Sequence, residues 1–241
     1  MKNVKKAIAL VAVIFGVSMS SFAQNGLSVR VGGNFPMGAF AEGGSLSDIA
    51  LNNASSKLGG AATGFNAGLK YQFGLLGNLS VFASADLFYN GLKGDLKEDI
   101  QKLDDDAKLP TYMNIPVMAG VNYELLDIAG ACLWVEAGLG VNFRNISSME
   151  NEMEILGSEF ETGTSYKMAT TFAWEAGVGV SVADKVSLGL HYYAFGSSAI
   201  NGDPYVEDGG AIGNWADQFK DEFQSGKLNP SMIVIRLGYH F

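Results

Sequence analysis

The chain predicts an all-β fold, an eight-stranded antiparallel up-and-down transmembrane β-barrel with short periplasmic turns and long, partly helical external loops. Three observations predict it. Residues 1–23 read as an export signal, eight later segments alternate apolar and polar residues in the same sense, and the linkers between those segments alternate short and long. After the signal no run of 18 apolar residues offers a membrane helix, so any crossing of a bilayer falls to strands.

In the signal, Lys2, Lys5 and Lys6 form a basic start, Ala7 to Val17 an apolar core too short to span, and Ser21-Phe22-Ala23 a small-x-small cleavage site. A single barrel domain over residues 24–241 is expected to remain. No cysteine stands directly after the apolar core, so a lipoprotein anchor is not expected. The 218 residues from Gln24 onward suit one domain, and 31 glycines against 5 prolines fit a glycine-rich barrel better than a disordered chain. Cys132 is the only cysteine, which excludes an intrachain disulfide; it reads as a small strand residue and not as a reactive thiol.

Each strand is justified by a period of two. The first, Leu27 to Phe35, sets Leu27, Val29, Val31 and Phe35 against Ser28, Arg30, Gly32 and Asn34. Gly64 to Phe73 sets Phe65, Ala67, Leu69 and Tyr71 against Asn66, Gly68, Lys70 and Gln72, and Leu79 to Asn90 sets Val81, Ala83, Ala85, Leu87 and Tyr89 against Ser80, Ser84 and Asp86. Gly74 to Asn78 joins these two as a hairpin. The fourth strand, about Tyr112 to Leu125, opposes Ile115, Val117 and Val121 to Asn114, Met118 and Asn122; the fifth opposes Leu133 through Phe143 to Trp134, Glu136, Gly138, Gly140, Asn142 and Arg144. The sixth carries Phe172, Trp174, Ala176 and Val178 against Glu175, Gly177, Gly179 and Ser181, and the tight Ala183-Asp184-Lys185 turn leads to the seventh, with Leu188, Leu190 and Tyr192 against Gly189, His191 and Tyr193. The eighth runs from Ser231 to the end, with Ile233, Ile235, Leu237, Tyr239 and Phe241 on one face and Met232, Val234, Arg236, Gly238 and His240 on the other.

An even number of antiparallel strands closes without an open edge, the only way a sheet satisfies its backbone in lipid. The short links follow Phe73, Leu125 and Val182, and the long ones cover about 36–63, 91–110, 145–167 and 196–227, which places both termini in the periplasm. The long linkers carry one, two, four and four excess negative charges, eleven in all, so the outer rim is acidic while the membrane band is near neutral. Helical spacing recurs at Leu96, Ile100, Leu103 and Ala107, at Trp215, Phe219 and Phe223 behind Asn214, and at Leu46, Ile49 and Ala50 behind Ser45; these read as short helices over the barrel mouth.

A soluble lipocalin-type barrel would alternate too, with its oily face inward. Here the polar face is poor in Lys and Glu and rich in Gly, Asn and Ser, which suits a confined interior and not a solvated surface. Buried charges must be paired, so an interior network linking Arg30, Lys70 and Arg236 to Asp86, Glu136 and Glu175 is expected, plugging the barrel and setting its register. Aromatic residues near the strand ends, Phe35, Phe65, Tyr89, Phe143, Phe172 and Trp174 at one level and Tyr71, Phe73, Tyr123, Tyr239 and Phe241 at the other, match two interfacial girdles.

The stretch Thr111-Tyr112-Met113-Asn114-Ile115-Pro116-Val117 resembles the Tyr-x-x-Ile-Pro-x strand motif of the PorT-like and OmpA-like outer-membrane β-barrel domains of Bacteroidota, as do the signal, the hairpin rhythm and the terminal Phe241. The resemblance implies an integral outer-membrane location and the barrel fold much more than an activity. Pro116 cannot donate to a ladder, so a bulge or local irregularity is expected there. With Phe241 ending the last strand, the second, peptidoglycan-binding domain of the OmpA plan is not expected.

The candidate sites read as structural. His191 is the one candidate general base, since His240 falls at the periplasmic end, and it is followed by Tyr192-Tyr193 and not by the His-x-Ser of an outer-membrane deacylase. Gly138-x-Gly140 and Gly177-x-Gly179 lie inside strands with no following helix, so they are packing glycines and not phosphate loops. Asp104-Asp105-Asp106 lacks the alternation of a calcium loop, and an acidic exterior excludes nucleic acid. The sequence therefore predicts a non-enzymatic, monomeric outer-membrane barrel without metal or cofactor, in a structural or surface-interaction role. Its partners are expected to be outer-membrane lipid, the barrel-assembly machinery through Tyr239 and Phe241 of the last strand, and an extracellular partner that the sequence does not name. The alternatives are a small ion or solute channel, an outer-membrane hydrolase and a soluble binder.

Overall fold

The alternating segments pair with their sequence neighbours because short turns leave consecutive strands side by side. The computed structural model of the protein describes residues 26–42, 59–94, 97–98, 102, 109–155, 158–200, 202–207 and 226–241. Its strands are β1 (Gly26–Met37), β2 (Gly64–Leu76), β3 (Leu79–Asn90), β4 (Tyr112–Ile128), β5 (Ala131–Ile146), β6 (Met149–Ile155), β7 (Ser158–Tyr166), β8 (Ala169–Val182), β9 (Val186–Ala194), β10 (Ser198–Ile200), β11 (Gly202–Glu207), β12 (Gly226–Leu228) and β13 (Ser231–His240). Eight of them close an antiparallel barrel in the order β1, β2, β3, β4, β5, β8, β9, β13, and β13 returns to β1 through pairs such as Val31 with Leu237. The expected eight-stranded meander is the observed one.

The outer surface is apolar: Val31, Leu69, Leu139, Phe172, Leu188 and Leu237 are all exposed, while their neighbours Arg30, Lys70 and Arg236 are buried in the lumen. This orientation removes the soluble lipocalin alternative, because an exterior of Leu, Val and Phe is solvated by hydrocarbon and not by water. Aromatic pairs mark both ends of the wall, Phe65 stacking on Tyr89 at 5.3 Å near the long loops and Tyr239 meeting Phe241 edge-on at 5.1 Å near the short turns.

The turn end is tightly made. Ala129 and Gly130, and likewise Ala183 and Asp184, adopt positive φ, the conformation of the primed two-residue turns whose twist matches a hairpin. Ala183 N–H donates to the Gly130 carbonyl at 2.8 Å, locking one turn to the next. Bulges fall at Gly74/Leu76 and Glu124/Leu126, close to this end. At Pro116 the β4–β5 pairing runs on without a bulge, and the irregularity lies on the other side. The β3–β4 ladder is interrupted between Ala85↔Val117 and Phe88↔Asn114 with its register unchanged, where the missing N–H has no bond to give.

The third long linker, for which no helix is expected, is a β-hairpin of β6 and β7, which takes β11 from the fourth linker as a third strand, and β10 pairs with β12. The sequence carries a sign of this in glutamates at every second position, Glu150, Glu152 and Glu154, a period of two. In the second linker Gly94, Lys97, Glu98 and Lys102 are helical, in line with the expected helix there. Leu96, Ile100, Leu103 and Ala107 of that helix lie outside the described residues, as do the residues of the helices expected at 45–50 and 214–223 and the export signal.

Candidate functional site

The interior is built by setting four of its long charged side chains opposite glycines across the sheet, while Lys70 lies opposite Ser28 and Ser84. Arg30 lies opposite Gly68 and Gly238, Arg236 opposite Gly32 and Gly189, Glu136 opposite Gly177, and Glu175 opposite Gly138. A Cβ on Gly68 would sit 1.9 Å from Asp86 Oδ1, so the glycine is what leaves room for the carboxylate. These glycines are thus the counterparts of the charges they face, while Gly179 makes room in the same way for the Trp134 ring.

All six residues expected in the network are buried together in the lumen. Arg30 Nη2 donates to Asp86 Oδ2 at 2.8 Å and Oδ1 at 3.1 Å, and Arg236 Nη2 approaches Asp86 Oδ1 at 3.4 Å. Lys70 forms an ion pair with Glu136 Oε2, which also accepts from Asn122 at 3.2 Å, and Arg30 Nη1 lies 3.6 Å from Glu136 Oε1. Arg236 donates to Asn66 at 2.9 Å and to the Tyr193 hydroxyl at 2.6 Å, with its guanidinium 5.2 Å from the Phe88 ring centre. Three cations share the lumen with three carboxylates, so the buried charge balances. Glu175 stands apart: its described ionic neighbour is His191 Nδ1 at 4.0 Å, and His191 Nδ1 also lies 3.4 Å from Glu136 Oε1.

Two features escape a reading of the sequence alone. The first is His191, which joins the carboxylates and does not stand at the rim as a general base; around it are Glu136, Glu175 and the rings of Trp134 and Tyr193. No serine or cysteine nucleophile is among these described neighbours. The second is that the lumen, polar as expected along its length, also holds an apolar cluster in its loop half beside buried Asn34, Asn90, Asn114, Asn142 and Arg144. That cluster is Phe88, Tyr193, Phe195, Met232 and Val234, joined by Phe40 from the first linker. The sign of it in the sequence is Phe88, which shares the inward parity of Ser84 and Asp86. The physical reason is volume. Large rings fill this space at close packing, and the amides beside them pair with one another, as Asn34 does with Asn90.

The loops are tied to this plug. Arg144 Nη1 donates to the Leu228 carbonyl at 3.1 Å and Ser198 Oγ at 2.8 Å, and its Nη2 to the Gly196 carbonyl at 2.9 Å, so one buried guanidinium holds both ends of the fourth linker. Tyr112 donates to the Gly59 carbonyl at 2.6 Å and meets Phe40 edge-on at 5.2 Å. Towards the turns the lumen instead opens into a cavity of about 480 Å³ lined by Arg30, Lys70, Glu136 and His191, with Glu124, Asp127 and Asp184 also on its wall. Tyr239 and Phe241 lie on the lipid side, both exposed.

A closed antiparallel barrel with an apolar wall, aromatic ends and a charge-paired lumen is an integral outer-membrane β-barrel protein. The chain belongs to the outer membrane protein beta-barrel domain family, whose model matches residues 9–241. Among solved structures it is similar to the Neisserial surface protein A, at 14% identity over 90% of this chain and 97% of that one, with a TM-score of 0.45. It is also similar to a major outer membrane protein from Thermus thermophilus (13% identity, 90% and 100% covered, TM-score 0.43) and to Ail, the attachment invasion locus protein of Yersinia pestis (11%, 90% and 97%, 0.40). No curated protein matches the sequence.

Proposed function

We propose that this protein is a non-enzymatic component of the outer membrane in a structural or surface-interaction role, its barrel plugged and its acidic loops turned outward. The observation that carries the reading is the apolar plug: Phe40, Phe88, Tyr193, Phe195, Met232 and Val234 are fully buried across the loop half of the lumen. The amides buried at the same level are bonded to one another, Asn34 to Asn90 and Asn142 to Asn114, so an ion crossing the plug would have to break packed contacts to replace its hydration. In this reading both termini face the periplasm, the loop end faces outward, and Tyr239 and Phe241 present the last strand to the assembly machinery.

Planar-bilayer recording on the folded barrel tests the proposal. The expected result is a flat baseline; reproducible single-channel steps would install the small-channel reading in its place, with the cavity at the turn end as its vestibule.

A further inference from the structure

Adjacent strands β5, β8 and β9 bring Glu136, Glu175 and His191 to one place in the lumen, with their ligand-type atoms all within 4.8 Å of one another. We propose that these three residues form a divalent-cation site, with zinc as the ion that fits best, reached from the turn end of the barrel.

The side chains are at most 5% exposed, and Glu136 Oε1, both oxygens of Glu175 and His191 Nδ1 have no hydrogen-bond partner within the protein. Lone pairs buried in this way are costly unless something binds them. The spacing suits a small tetrahedral ion. At the metal distances of about 2.0–2.2 Å usual for zinc, neighbouring ligands sit about 3.4 Å apart. His191 Nδ1 and Glu136 Oε1 are 3.4 Å apart, and Glu175 Oε2, at 4.0 Å from Nδ1, closes the remainder by a side-chain rotation. An imidazole with only two carboxylates favours zinc over magnesium or calcium, which take more oxygens.

The surroundings keep the ligands aimed. Lys70 and Asn122 occupy Glu136 Oε2, while Oε1 faces only Arg30 Nη1 at 3.6 Å, beyond hydrogen-bond distance, and Arg30 keeps its two bonds to Asp86, so Oε1 can turn to the ion. Gly177 stands between Glu136 and His191 in the cross-strand row, and a Cβ there would lie 2.4 Å from His191 Nδ1, in the space the ion needs. Glu136 and His191 line the 480 Å³ cavity, which supplies access and a water for the fourth position. Glu175, whose described ionic neighbour is His191, brings a carboxylate that no lumen cation holds, and Glu124, Asp127 and Asp184 on the same cavity draw cations in.

The test is calorimetric titration of zinc into the chelator-treated, folded barrel in detergent micelles, with the heat-dependent gel shift as the check of folding. One zinc per chain is expected, weakened about tenfold or more by Glu175→Gln and by Gly177→Ala. No heat with the wild-type protein, or a single site that both variants leave intact, overturns the proposal and assigns any binding to the acidic loops. Zinc-edge X-ray absorption on the wild-type protein decides independently of variants: a first shell of nitrogen and oxygen with one imidazole supports the site, and a shell without imidazole sinks it.

Discussion

Removing the carboxylate of Asp86 strips both Arg30 and Arg236 of their shared anion. The approaches at 2.8, 3.1 and 3.4 Å disappear, and the network changes from three cations against three anions to three against two. Breaking a buried ion pair by deleting one partner costs about 3–5 kcal/mol, because the remaining charge stays desolvated. Asp86→Ala should therefore lower the unfolding free energy by about 3–5 kcal/mol. Urea unfolding of the barrel in lipid vesicles, followed by tryptophan emission, measures it as a shift in midpoint at constant slope. The companion is Asp86→Ala with Arg30→Met, which restores balance by leaving Lys70 and Arg236 opposite Glu136 and Glu175. Arg236 then still holds Asn66 and the Tyr193 hydroxyl. The double variant should recover at least about half of the loss. A single-variant loss under about 1 kcal/mol, or a double variant no more stable than the single, would refute the claim that charge balance holds this lumen together.

Phe88→Ala deletes a ring 5.0 Å from Tyr193 and 5.2 Å from Phe195. It should cost about 3–5 kcal/mol in the same unfolding assay and should admit ion current in planar bilayers, and a variant that stays electrically silent would show that the plug does not depend on this layer. At the turn end Ala129 holds φ 53° ahead of Gly130, and Ala129→Asn gives that turn the pair it prefers. A gain of about 0.5–1 kcal/mol is expected, and equal or lower stability would count against strain at this position.

Much of the wall is legible from residue order. Alternation predicts a third strand from Leu79 to Asn90, and β3 is Leu79–Asn90; the turn at Ala183-Asp184-Lys185 follows Val182 as expected. These are local properties: side chains alternate every residue, and a tight turn joins whatever flanks it. The hairpin in the third linker is harder to see because a run of glutamates reads as a solvated loop, although its alternation already carries the strand. Phe88 is hidden for a related reason, since a ring on an otherwise polar face looks like noise until its neighbours are known.

What the sequence alone determined is therefore the periodic part of the protein: the number of barrel strands, which side chains face lipid, and the set of charges turned inward. What only the tertiary structure decided is who meets whom inside. Arg30 and Asp86 are 56 positions apart and Arg236 and Asn66 are 170 apart, and nothing local relates them. Their meeting depends on the register of every strand pair and on the closure of β13 against β1, because a slip of one residue turns a whole strand inside out. The division of the lumen into an apolar plug and a charged cavity, and the convergence of Glu136, Glu175 and His191, follow from that closure, which no single segment encodes.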